Sequence, residues 1–224
     1  MESKKVDFVN NRINYSKPSK GRSLLFDNHY ISTNRLSNGN SKLYNILIFN
    51  LPAVKTCLNC SDCKISCYAR KSERMYIDTR ISRDTNLQLF LSNRDLLKEL
   101  IILQISNSKE NIIRIHESGD FFSQEYIEFW CEIIKSFPLK KFYAYTKVKG
   151  ILNFDYIESL SNFNLIESFV DGKLNFGSIE YCNDLHSKHG TFICPATKTS
   201  DIKFRCGLNC NYCVTKKNVC FVIH

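Results

Sequence analysis

The chain has 224 residues, 43% of them hydrophobic and 24% charged. That balance suits one globular domain able to bury a sizeable core without disulfide staples. No apolar run approaches the roughly 20 residues of a bilayer-spanning helix, and residues 1–20 are polar and basic with no signal-like stretch. The expectation is a cytoplasmic protein with no membrane partner. Disulfides are rare there, so eleven cysteines point to metal or redox chemistry. The net charge of +9 makes nucleic acid a candidate partner, although basic residues such as Lys216 and Lys217 also offset the charge of thiolates.

Residues 1–41 are rich in Asn, Ser, Lys and Arg and read as a polar arm. The α/β domain follows over 42–224. Residues 42–51 form a largely buried first strand ending at Pro52. A cysteine group follows at once. Apolar residues at helical spacing (Leu87, Phe90, Leu91, Leu96, Leu97, Leu100, Ile101) predict helix over 81–106, divided at Asn93 or Asp95. Residues 112–116 read as a buried strand, and Ser123 as the N-cap of a helix carrying Ile127, Trp130, Ile133 and Ile134. Phe137 and Pro138 stop that helix. Further strands are expected at 141–146 and 164–170, with a short helix over 154–160 between them. A short strand is expected at 178–181 and a last one at 219–223, while residues 191–193 run into a second cysteine group. Strand–loop–helix alternation argues for an α/β fold with a mainly parallel sheet. In such folds function gathers at the strand C-terminal ends. Here those ends carry the first cysteines, then residues 116–120, then Thr146 and Lys147.

The first cysteine group is Cys57, Cys60, Cys63 and Cys67, with C-x2-C-x2-C-x3-C spacing. A folded-back loop with that spacing aims several thiolates at one centre, and it resembles the bacterial ferredoxin run. The second group is Cys194, Cys206, Cys210, Cys213 and Cys220. Small and polar residues between them leave backbone amides for sulfide or thiolate. Two readings stand: one or two [4Fe–4S] clusters, or zinc in a four-thiolate site such as Cys57, Cys60, Cys210 and Cys213. Cys131 and Cys182 stand alone and read as core residues.

His116 closes a buried strand, where it either binds a substrate or cofactor or shuttles a proton, or is a buried ring hydrogen-bonded to backbone. Asp120 either accepts from a ligand amine or hydroxyl, or caps the next helix. Gly119 supplies a positive φ or a close backbone approach. Lys147 either pairs with a carboxylate or phosphate, or is an exposed lysine. Trp130 reads as core.

Two resemblances attach to these residues. Leu51-Pro52-Ala53, Cys57, Cys63, Cys67-Tyr68-Ala69, the run from Arg114 through His116, Ser118, Gly119 and Asp120 to Ser123, Tyr126, Trp130, Pro138, the run Phe142–Lys147 and the terminal cysteines together resemble the phage gene product eighty-eight family, from about residue 42 to the C-terminus. That resemblance implies a phage protein acting in the host cytoplasm. More distantly, the chain resembles radical S-adenosylmethionine enzymes, which have a partial (β/α) barrel. In that resemblance Cys57, Cys63 and Cys67 hold a reactive [4Fe–4S] cluster, with Cys60 spare or an alternative ligand. Glu117, Ser118, Gly119 and Asp120 would contact S-adenosylmethionine. Cys194, Cys206, Cys210 and Cys213 would hold a second cluster, with Cys220 as substitute. An unknown substrate would sit near His116, Asp120 and Lys147, and an electron donor would be needed. The alternative is a zinc-stabilised, nucleic-acid-binding phage protein without catalysis.

Overall fold

The computed structural model describes residues 23–26, 29–32, 34–40, 42–60, 62–65, 67–170, 173–198, 204–215 and 218–222. The chain enters through an antiparallel hairpin, β1 (Ser23–Phe26) with β2 (His29–Ser32). An edge strand, β3 (Leu36–Asn38), then pairs antiparallel with β4 (Ile46–Phe49). Part of the segment read as an arm is therefore strand. The basic residues of 1–22, with Lys216 and Lys217, lie outside the described residues. The first predicted strand is shorter than 42–51, because Asn45 turns the backbone with φ 54° immediately before β4.

From β4 onward three strands follow in sequence order, β5 (Ile112–Ile115), β6 (Lys141–Thr146) and β7 (Phe163–Glu167), each parallel to its predecessor. The β4–β5 crossover holds α1 (Tyr68–Met75), α2 (Ile77–Ser92) and α3 (Arg94–Ser106). The next two crossovers hold α4 (Gln124–Lys135) and α5 (Asp155–Glu158). Capping sets the boundaries. The Asn93 side chain accepts from the Leu96 amide and separates α2 from α3, and Ser123 accepts from the Tyr126 amide to start α4. Both are positions the sequence marks.

Strand periodicity divides the sheet into two unlike faces. Leu47, Phe49, Ile113, Ile115, Phe142, Ala144 and Leu165 pack against the helices, with Phe90, Ile101, Tyr126 and Ile133 in the same core. Phe49 meets the fully buried Trp130 edge to face at 5.2 Å. Burying each such side chain contributes about 1.5–3 kcal/mol, so this face anchors the fold. The opposite face presents Ile46, Ile48, Tyr143 and Ile166 to the C-terminal segment, including Cys194, Cys206, Cys213 and Val219. Sequential strand order with the helical core on one face resembles part of a barrel wall. The sheet is nonetheless open, ending at β3 and β7. The fold is mixed α/β with a mostly parallel sheet, and a closed barrel is not formed.

The C-terminal segment builds small elements of its own. A two-strand ladder, β8 (Phe169–Val170) with β9 (Lys173–Leu174), leads to β10 (Phe176–Gly177) and α6 (Ile179–His189). Next come β11 (Phe192–Ile193), α7 (Pro195–Lys198), α8 (Tyr212–Thr215) and β12 (Val219–Val222). β12 lies between β10 and β11, parallel to both. Two sequence expectations need correction. Residues 178–181 begin α6 rather than a strand, because the Ser178 hydroxyl accepts from the Tyr181 amide as an N-cap. The strand expected over 164–170 divides into β7 and β8, whose pairings belong to different sheets.

Candidate functional site

The loops that leave β4, β5 and β6 are tied together at one end of the sheet. Asn50, just past β4, accepts from the amides of Glu117 and Ser118 through Oδ1, both at 2.8 Å. The Leu51 amide donates to the Ser118 carbonyl, and the Ser118 hydroxyl donates back to the Leu51 carbonyl at 2.9 Å. Gly119 is required on two counts. Its φ is +87°, and a Cβ there would stand 2.7 Å from Leu51 Cβ and Thr56 Oγ1. Both properties the sequence suggested for Gly119 hold.

Asp120 carries the junction to β6. Its Oδ1 accepts from the Phe121 amide and the Thr146 hydroxyl, and its Oδ2 from the Lys147 amide, each at 2.8 Å. It therefore clamps β6 rather than capping α4, where Ser123 does the capping. Burial raises its carboxyl above the usual range, while the three hydrogen bonds pull the other way. Lys147 is bound through its backbone as well: its carbonyl accepts from Asn59 Nδ2 at 2.9 Å. That contact seats the first cysteine loop against β6.

His116 takes a left-handed φ of 70°, which strains a residue with a Cβ. Its ring goes into the helical core, 2.8 Å from the Tyr126 hydroxyl through Nε2 and edge-on to Phe121. Nδ1 is buried without a hydrogen-bond partner. Burial, with the nearby Arg114 charge, pulls its pKa down to about 3. His116 is thus neutral near pH 7 and shapes the turn that carries residues 117–120.

The first thiol group lines this end of the sheet. Cys60 and Cys63 have their sulfurs 3.8 Å apart. Burial pushes Cys57 up to about 12, opposed by a Val54 backbone hydrogen bond and reinforced by Asp120, Cys60 and Cys63. Burial also raises Cys63, with Lys147 opposing the shift. Cys67 precedes α1, whose first residue, Tyr68, donates its hydroxyl to the Glu117 carbonyl.

The second group lies across the inner face. Cys206 bridges to Leu43, its amide donating to the Lys42 carbonyl and its carbonyl accepting from Tyr44. Gly207 permits this approach, with φ +84° and a virtual Cβ 1.9 Å from the Tyr44 carbonyl oxygen. Cys213 accepts from the Tyr145 hydroxyl at 2.7 Å, and its carbonyl accepts from Asn164 Nδ2 at 3.0 Å. Burial raises the Cys206 thiol to about 12 and the Cys213 thiol to about 11, and Cys194 and Cys210 add mutual repulsion. Cys220 does not belong with them. Its sulfur is bonded to Cys182, tying β12 to α6. This corrects the reading of Cys220 as a ligand; Cys182 is a buried core residue as expected, but it does not stand alone. Cys131 is free and buried.

Sequence reading missed Asn50, Asn59 and Arg114. The signal for Arg114 was present as one charge in the run Ile112–Ile115, at a position that must face opposite to Ile113 and Ile115. Asn50 and Asn59 carried none, since their roles depend on loop closure.

The donors suit a thiolate-bound metal group by chemistry. Among the described residues, no three Cys, His, Asp or Glu side chains converge on a single ion. The Cys60–Cys63 spacing is about that of two ligands on tetrahedral zinc.

The fold and its second face define a mixed α/β protein whose mostly parallel, open sheet is lined by thiols. A family profile described as Gene product 88 matches residues 22–202, and the chain belongs to that family of phage proteins. It is 33% identical over 72 residues to the Gene 88 protein of Mycobacterium phage D29, covering 28% of this chain and 30% of that relative. The match thus spans under a third of the relative's length. No solved structure matches. Among the described residues, no helix is long and apolar enough to cross a membrane.

Proposed function

We propose that this Gene product 88 protein holds one or two iron–sulfur clusters, through Cys57, Cys60, Cys63 and Cys67 and through Cys194, Cys206, Cys210 and Cys213. We further propose that it is an enzyme of the radical S-adenosylmethionine kind, working in the host cytoplasm. The observation carrying the reading is the meeting of two four-thiol groups with one sheet, the first at the strand ends and the second across the inner face. A cluster at the first group would supply single electrons to a bound molecule. The chain's own residues set the surroundings. Asp120 and Gly119 hold the β5 turn against the cysteine loop, and His116 fixes its backbone. Lys147 brings a positive charge near Cys63, which favours the thiolate form needed for ligation.

The zinc-stabilised, nucleic-acid-binding alternative rests on net charge. The dense spacing of the cysteines in sequence, with a C-x2-C-x2-C-x3-C run, favours the cluster reading over it. The test is anaerobic purification with iron, sulfide and zinc analysis, a visible spectrum before and after dithionite, and an assay for S-adenosylmethionine cleavage. Iron with matching sulfide and a band that bleaches on reduction support the cluster. Cofactor cleavage then supports the enzyme. Stoichiometric zinc without iron overturns both and returns the binding protein to first place.

A further inference from the structure

The inner face of the sheet carries a cation with no carboxylate partner among the described residues; the Cys206 and Cys213 thiols are its neighbours there. Arg114 projects from β5 between Ile113 and Ile115, on the side opposite the helical core. Its Nε donates to the His116 carbonyl at 3.0 Å, and its guanidinium carbon lies 5.2 Å from the centre of the Tyr145 ring. Among the described residues, no carboxylate comes within ion-pair distance of it. Glu117 is near enough to be felt, but its Oε1 accepts from Asn40 instead. The two Nη groups of Arg114, and the hydroxyl of the adjacent Tyr143, have no acceptor among the described residues. Tyr145 and Tyr68 also face Arg114; their hydroxyls donate to Cys213 and to the Glu117 carbonyl, and neither accepts a hydrogen bond from the guanidinium.

Arginine keeps its proton at any physiological pH, so this charge cannot be shed. Arg114 is half-buried, and a charge drawn partly out of water is costly unless something pairs with it. Donors with no acceptors, gathered on one floor, describe the complement of an oxyanion. We infer that Arg114 and Tyr143 form an anion-binding site on the inner face, between the two thiol groups. Its ligand class is a small molecule bearing a carboxylate or phosphate. The guanidinium fork grips two oxygens in parallel, and the Tyr143 hydroxyl supplies a further donor. On the metal reading this gives the substrate its charged handle, although the site itself needs no metal.

The test uses the full chain, isolated anaerobically, with metal content measured in every variant. Thermal midpoints are recorded for wild type, Arg114→Gln, Arg114→Lys and Tyr143→Phe against sodium acetate and inorganic phosphate, at ionic strength matched with chloride. Without added anion, Arg114→Gln is expected to be at least as stable as wild type, since it removes an unpaired charge. Acetate or phosphate is expected to raise the wild-type midpoint saturably. Arg114→Gln should abolish that rise, and Tyr143→Phe should weaken the apparent affinity roughly tenfold. Arg114→Lys should keep part of the response. The anion with the larger effect identifies the oxyanion. A lower midpoint for Arg114→Gln at unchanged metal content, with no anion response in wild type, would assign the guanidinium to the His116 carbonyl, Tyr145 and the cysteine thiols. That outcome overturns the anion site while leaving the metal reading intact. Equal responses to chloride, or an undiminished response in Arg114→Gln, also overturn it.

Discussion

His116 gives the sharpest pH dependence. In the folded chain its pKa is about 3 against an ordinary value of 6.5. An imidazolium would need acceptors at both nitrogens, and Nδ1 has none. Between those two pH values the unfolded chain binds the extra proton, so stability rises with pH up to about 6.5 and is lost progressively toward 3. At about 1.36 kcal/mol per unit, the 1.5 units from 6.5 down to pH 5 amount to about 2 kcal/mol. Urea unfolding at pH 7 and pH 5 measures this directly. The control is His116→Asn, because asparagine tolerates the left-handed backbone and does not titrate. That variant should be less stable throughout, having lost ring packing, but its stability should fall by about 2 kcal/mol less than that of wild type over the same interval. Parallel pH dependences in the two proteins would refute the buried, neutral histidine.

Gly119→Ala should cost about 3 kcal/mol by forcing an unfavourable φ and a close contact with Leu51 and Thr56; a shift of the urea midpoint checks it. Asp120→Asn places a donor where the Lys147 or Thr146 donor needs an acceptor, so a loss of about 1–3 kcal/mol is expected in the same assay. The bond between Cys182 and Cys220 closes a loop of 38 residues. Its reduction, or a Cys182→Ala/Cys220→Ala pair, should lower stability by about 3–4 kcal/mol and leave metal content unchanged. Loss of metal in Cys220→Ala with Cys182 intact would return Cys220 to the ligand set.

The parallel core of the fold was legible because its signals are local. The period-two runs at 112–115 and 141–146 and the caps Asn93 and Ser123 state their structure within a few residues. The meeting of three loops at the strand ends also followed from topology, since parallel strands send their exits to one end. What escaped reading depends on partners distant in sequence. Nothing near Leu36 announces an antiparallel strand against Phe49. Nothing near Cys182 announces Cys220, because two isolated cysteines look alike whether bonded or not. Asp120 read as a cap from its position before a helix, and only the folded loops reveal that its oxygens face β6. Arg114 was visible as a charge in an apolar strand, but its surroundings required the C-terminal segment to be folded across the sheet.

Native mass spectrometry of the anaerobically isolated chain tests the central claim most directly. Intact protein is expected to be heavier by one or two iron–sulfur clusters, with the clusters lost separately in Cys60→Ala/Cys63→Ala and Cys206→Ala/Cys213→Ala. A wild-type chain carrying only zinc ions, or a mass that both pairs of substitutions leave free of any cluster-sized difference, would contradict it.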